Sequence, residues 1–451
     1  MKKYLLFALI VCAAIKAGAT DIGGILGNMT LTKANSPYHI TKNILIPSGV
    51  KVVIDPGVEV LVDPNLFIQV NGTLRAIGTI EDSIYFKISQ NAPYWNGIKF
   101  SGTSESYDPK SGEGSVISFA SFKIGEFWLH SDDIAAIDIV DCSPKISNNT
   151  IAGGAVGIKI NALSLYSTIS NNRIYGGFIG IGVEGNVTIV ENEIFAIFHA
   201  PISISVGDVY VVNNEIHNSG YGIVLNDEYY PSSFNIIGNF FHDNYNASVY
   251  GDTKNIAINC NTFKDNNGPN ISLGCTYIPK SIKGNNFLNY TKANVAIGDA
   301  FNCYITLPEG TFFLPLEIEN NYWNGLSENE IEKSILDFED DFSKKIKVVV
   351  VSTSSDSLLY DSAYCFAGTV TSVMQPNDKI TNSINVFPNP SVGGVLTFTT
   401  DDCTIEEITL VNALNQQEVT KGTKVESTFK GLVTAIVKTN KGIFNKKIII
   451  Y

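Results

Sequence analysis

The sequence predicts an all-β chain: a parallel β-helix solenoid with a short capping helix, followed by a small C-terminal β-sandwich. Three observations carry that prediction. A phrase of apolar and β-branched residues, an Asn, any residue and then Ile or Phe recurs between Ile146 and Trp323 as ISNNTI, ISNNRI, VENEI, VNNEI, IGNFF, NCNTF and GNNF. Its asparagines are Asn149, Asn172, Asn192, Asn214, Asn239, Asn261 and Asn285, at successive gaps of 23, 20, 22, 25, 22 and 24 residues. A fixed period in that range marks a solenoid. A companion phrase follows each Asn, as GIKI (157–160), GIGV (180–183), PISI (201–204), GIVL (222–225), NISL (270–273) and NVAI (294–297). After Asn239 it thins to Ala247-Ser248-Val249. Finally, an apolar run leads into each Asn, as in Val187-Thr188-Ile189 and Val209-Tyr210-Val211.

Each coil therefore holds about three short strands that alternate apolar and polar residues, as half-buried strands do. One coil cannot bury its inner face alone, so it stacks on its neighbours at roughly 4.8 Å per turn. Stacked Asn amides that hydrogen-bond along a column give the recurring residue a mechanical reason. Composition agrees: aromatic residues make up 11% and charged residues only 17%, with 38 Gly, which suits strands joined by tight turns.

Taken in order, residues 1–19 carry Lys2 and Lys3, an apolar run from Tyr4 to Ile15 and Ala17-Gly18-Ala19, the pattern of a cleavable secretory signal. No later stretch approaches the roughly 20 apolar residues of a membrane helix. Residues 30–100 alternate in Gly57-Val58-Glu59-Val60-Leu61-Val62 and Ile84-Tyr85-Phe86-Lys87-Ile88, so they read as coils without the Asn ladder. The polar, Gly- and Ser-rich stretch 101–115 reads as a protruding loop. At the far end, Ser327 and Glu330 form a capping box. Ile331, Ile335, Phe338 and Phe342 then fall on one helical face, predicting a helix over about 327–342 that covers the last coil's open edge. Lys347 to Val351 is one more strand, which ends the solenoid (20–351), and 352–383 read as a linker. The short Val-, Ile- and Thr-rich strands of 384–451 suit a β-sandwich. Of the seven cysteines, Cys12 lies in the signal, and Cys275 and Cys303 sit at comparable places in neighbouring coils, where a bridge is expected in an oxidising compartment.

The repeat resembles the right-handed β-helix superfamily of pectate lyases and related extracellular proteins. IPSGVKVVIDPGVEVLVDPN, VNGTLRAIGT and WNGIKF resemble the opening turns of many secreted bacterial β-helix proteins, and ENNYWNG (319–325) resembles the Asn-Tyr-Trp-Gly phrase that often closes them. The tail resembles the C-terminal sorting domain of the type IX secretion system of Bacteroidetes. That likeness rests on Pro388-Asn389-Pro390, on Ile408 to Val411 followed by Leu414-Asn415-Gln416, and on the lysine-bearing last strand ending at Tyr451. It implies export through the periplasm and outer membrane to the cell surface or medium, with the secretion machinery as a partner of 384–451.

Setting the register places residues at equal offsets from each Asn in columns. One column reads Thr150, Arg173, Glu193, Glu215, Phe240, Thr262 and Asn286, and another Ala152, Tyr175, Phe195, His217, His242, Lys264 and Leu288. Glu193 and Glu215 then lie one strand spacing apart beside Arg173, a set able to share a proton or cation. Tyr175, Phe195, His217 and His242 form a flanking row suited to sugar contact. The long coil at Asn226-Asp227-Glu228-Tyr229-Tyr230-Pro231 bulges outward; Tyr229 and Tyr230 join the glycan candidates, and Asp227 and Glu228 would attract calcium, with no other cofactor indicated. Against this stands the plain reading that exposed strand faces are ordinarily polar and that ring stacks stabilise β-helices.

A net charge of −13 argues against nucleic acid as a partner. Polygalacturonase-like enzymes carry paired Asp motifs with Gly-His-Gly and Arg-Ile-Lys; here Asp132-Asp133 stands alone and Arg173-Ile174 runs into Tyr175. Gly180-Ile181-Gly182-Val183-Glu184-Gly185 fits a dinucleotide fingerprint by letter, yet no helix pattern follows it. The expectation is an exported protein that binds extracellular glycan or acts as an adhesin-like surface protein. The alternative is a polysaccharide lyase or glycoside hydrolase working through Glu193, Glu215 and Arg173.

Overall fold

The computed structural model describes residues 18–89, 94–125, 134–226, 232–253, 255–274, 276–298, 311–356, 384–387, 395–400, 404–412, 417–429, 431–439 and 442–450. Between Thr20 and Ser354, 34 strands join one arrangement in which every named pairing is parallel and links a strand to its counterpart one coil away, while Leu314–Ile318 and Ile346–Val350 pair as a separate two-stranded sheet. It makes about 11 turns. Residues 1–17, where the secretory signal is expected, lie outside the described residues.

The Asn column is the spine of this solenoid. From Asn149 to Asn285, each amide donates through Nδ2, and each backbone N–H donates as well, to Oδ1 of the next ladder Asn at 2.9–3.1 Å. Asn321, in the closing phrase, is an eighth rung, and all eight are at most 2% exposed. Buried amides need full hydrogen-bonding, and the column supplies it. The residue before each rung is left-handed: Asn148, Asn171, Glu191, Asn213, Gly238, Cys260, Gly284 and Asn320 have φ between 53° and 65°. That kink turns the chain between two strands of the coil, and the ladder amide satisfies the backbone groups the corner leaves open.

The interior is filled by Ile and Val in register, and along part of its length by rings: Phe241, Phe263, Phe287 and Trp323 stack at 4.7–5.4 Å between centroids. The coil after Asn239 is regular in space, since Val249–Gly251 pairs with Ile223–Leu225 and Ile271–Leu273. Gly180 lies inside the strand Ile179–Val190, where a Cβ would meet Pro201 O at 2.4 Å; the glycine serves coil packing, and the dinucleotide reading falls. Residues 101–115 form the expected loop, fastened by Arg75 Nη1 donating to the carbonyls of Gly112 and Gly114 at 2.8 and 2.9 Å.

The cap differs from its expectation. The capping box is present, with Glu330 Oε2 accepting from the backbone N–H and hydroxyl of Ser327 at 2.9 and 2.6 Å. The helix, however, spans only Glu328–Lys333. Ser334 accepts from Asn294 through both its carbonyl and hydroxyl, and Ile335–Leu336 pair with Val295–Ala296, so the chain returns to the solenoid instead of continuing the helix. Phe342 is exposed. The strand Ile346–Val350 pairs with Leu314–Ile318, and Thr353–Ser354 pair with Asn321–Tyr322, so the solenoid runs a few residues past the expected boundary. Residues 357–383 lie outside the described residues.

The C-terminal segment forms a three-stranded and a four-stranded antiparallel sheet. Leu396, Phe398 and Val425 of the first share a core with Ile408, Leu410, Val433, Ala435 and Val437 of the second, as in a sandwich. Cys142 is a free, buried thiol whose pKa burial pushes up to about 12. Cys260 is disulfide-bonded; Cys275 and Cys303 lie outside the described residues.

Candidate functional site

Directly after Asn172, Asn192, Asn214 and Asn239, a three-residue strand buries its middle residue and turns the first and third outward. Pairing confirms both columns in register: Arg173, Glu193, Glu215 and Phe240 on successive coils, and Tyr175, Phe195, His217 and His242 beside them. The structure thus brings together eight residues that sequence spacing placed on one wall. Asp227, Glu228, Tyr229 and Tyr230 lie outside the described residues.

The rings form one stack, with centroids 5.1 Å apart for Tyr175 and Phe195, 5.0 Å for Phe195 and His217, and 4.6 Å for His217 and His242. Interplanar angles of 6–19° turn the ring faces toward one another. A sugar would therefore meet ring edges and polar rims, because the flat faces are taken up by neighbouring rings. The Arg173 guanidinium lies over Phe195 at 4.6 Å and Tyr175 at 5.5 Å, a cation–π arrangement.

The two carboxylates take different partners. Arg173 Nε donates to Glu193 Oε2 at 2.7 Å, and that bond raises the arginine pKa further. Glu193 Oε1 lies 3.6 Å from His217 Nε2. Glu215 Oε1 lies 3.2 Å from His242 Nε2, and His242 Nδ1 contacts Asp243 Oδ2 at 2.7 Å. His217 Nδ1 contacts the Asn218 side-chain nitrogen at 2.9 Å. Sequence reasoning missed Asn218 and Asp243. A signal was present: the position after each ring residue is a left-handed turn, with φ 74° at Gly176, 51° at Ala196, 49° at Asn218 and 55° at Asp243, a conformation that Gly, Asn and Asp tolerate.

A family model described as a right handed beta helix region matches residues 129–230. No curated protein matches the sequence. Among solved structures, a double mutant of the periplasmic alginate epimerase AlgG is similar at 14% identity and a TM-score of 0.32, covering 73% of this chain and 83% of that one. No helix among the described residues is long and apolar enough to cross a membrane. Repeat, register and family match agree on one architecture, a right-handed parallel β-helix.

Proposed function

We propose that this chain is an exported β-helix protein whose wall binds extracellular polysaccharide along the Tyr175, Phe195, His217 and His242 column. The observation that supports it is the in-register row of four rings beside Arg173, Glu193 and Glu215 on one outward strand column. That row runs roughly 15 Å along the solenoid axis, three strand spacings. Because the rings face each other, recognition works through hydrogen bonds from rims and charged groups to hydroxyls. A neutral, hydroxyl-rich glycan suits both the mixed charges of the row and a chain of net charge −13, which repels polyanions.

Binding is favoured over cleavage by the Arg173–Glu193 pair. A lyase base must lose its proton, and Glu193 holds Arg173 in its charged form. The test is retardation of the purified chain in affinity gels holding neutral glycans, pectin or alginate, with parallel assays for unsaturated products and new reducing ends. Retardation by a neutral glycan is expected, weakened at least about 5-fold, near 1 kcal/mol, in Arg173→Gln/Tyr175→Ala, with no product. Product formation that Glu215→Gln abolishes overturns the reading in favour of an enzyme. In the same proposal, residues 384–451 are the type IX sorting domain that routes the protein to the surface or medium.

A further inference from the structure

We propose that Glu215, His217 and His242 form a binding site for a divalent transition-metal ion of the zinc type. One ligand atom from each lies within 4.8 Å of the others. The imidazoles sit in register on adjacent coils, nearly parallel at 6°, so their ring nitrogens stand side by side.

Two details suit a cation bound among these side chains. His242 Nδ1 lies 2.7 Å from Asp243 Oδ2, so Nδ1–H donates to that carboxylate and the Nε2 lone pair faces Glu215 Oε1 at 3.2 Å. Two acceptors aimed at each other are reconciled only by a proton or a metal between them. The carboxylate behind His242 is also the usual support of a metal-ligating imidazole, fixing tautomer and ring direction. Independently, His217 Nε2 is buried and makes no hydrogen bond, its nearby carboxylate, Glu193 Oε1, standing off at 3.6 Å, an unfavourable state that ligation relieves. With the Asn218 amide turned so that its oxygen accepts from Nδ1–H, Nε2 of His217 presents a lone pair on the same side.

Imidazole and carboxylate donors suit zinc-type ions, whereas calcium takes oxygen ligands only. Bonds of about 2.0–2.2 Å require the donors to close to roughly 3.3 Å of one another. Closure takes rotation of all three side chains: Glu215, 51% exposed, swings inward, and the two stacked imidazoles tilt their ring nitrogens together. The site needs no glycan, so its failure and that of the glycan reading are separately visible.

The test is calorimetric titration of the untagged full-length chain, stripped with chelator, with Zn2+, and visible absorption on titration with Co2+. One ion per chain is expected in both. His242→Gln and Glu215→Gln each weaken binding more than 100-fold, Asp243→Asn weakens it about 10–100-fold as loss of a supporting carboxylate does, and His199→Gln leaves it unchanged. Asp243 and Glu215 are half-exposed, so these variants keep the fold, and metal-free melts matching the wild type verify it. Absence of binding by the wild-type chain, or equal affinity in the His217→Gln/His242→Gln double variant, overturns the proposal.

Discussion

Asn214 shows how much one side chain holds in this fold. Its Oδ1 accepts from the backbone N–H and side-chain amide of Asn192, both at 2.9 Å, while its own Nδ2 donates to Ile189 O, Val212 O and Asn239 Oδ1. Asn214→Ala leaves buried donors of the neighbouring rung without acceptors, each costing about 1–3 kcal/mol. We expect a loss of about 3 kcal/mol in urea unfolding, against under about 0.5 kcal/mol for Thr150→Ala on the outer column. Equal losses in the two variants would show that the ladder carries no special weight. This ladder was legible because identical residues at one period leave a signal in the sequence. The left-handed residue before each rung was not, because Asn, Glu, Gly and Cys all occupy it and share no letter. Site columns followed from register alone, whereas the partition of Glu193 to Arg173 and Glu215 to His242 depends on side-chain torsions that spacing does not carry.

At the scale of elements, the cap shows two periodicities in competition. Ile331, Ile335, Phe338 and Phe342 satisfy a helical spacing, yet Ser334 is the next rung above Asn294 and draws Ile335 into the strand column. Stacking won because an exposed last coil has parallel strand edges to satisfy, and two residues of strand meet that need where a longer helix does not. The opening coils, which lack the continuous Asn column, add charged contacts between turns. His39 in the strand Tyr38–Ile46 contacts Asp63 at 2.8 Å and Asp21 at 3.1 Å, and Ser89 donates to Asp63 at 2.5 Å. The Asp63 hydrogen bond raises the His39 pKa above 6.5; the Ser89 hydroxyl, then His39, lower that of Asp63 below 3.8. The histidine's contribution is therefore full below pH 6.5 and fades as pH rises through its raised value, while that of Asp63 is full above pH 3.8 and fades as pH falls through its lowered value. Stability from this trio is greatest between those limits. His39→Gln should lower the unfolding free energy in urea at pH 5.5 by about 0.5–1 kcal/mol after solvent screening, and lower it less at pH 8.5; a difference of the same size at both values would assign the effect to packing.

For the whole molecule, the decisive feature is that the buried residues divide into two sets. The solenoid core runs from Leu31 to Val348, and a separate core from Leu396 to Val437 joins the two C-terminal sheets. A solenoid is stabilised coil by coil through nearest neighbours, so removing residues that share none of its core leaves its own stacking intact. Its last turn is already closed by the helix Glu328–Lys333 and by Thr353–Ser354, both before residue 384. Deleting 384–451 should therefore leave the far-ultraviolet spectrum strand-rich and the solenoid melting temperature within about 2 °C, since under 1 kcal/mol is at stake. If the segment is the sorting domain we propose, the same deletion in a host with type IX secretion machinery abolishes appearance at the surface and in the medium, and the folded protein accumulates in the periplasm. The two readouts separate the explanations. A truncated chain that melts much earlier makes the sandwich a stabilising cap, and one that is folded and still exported refutes the sorting role.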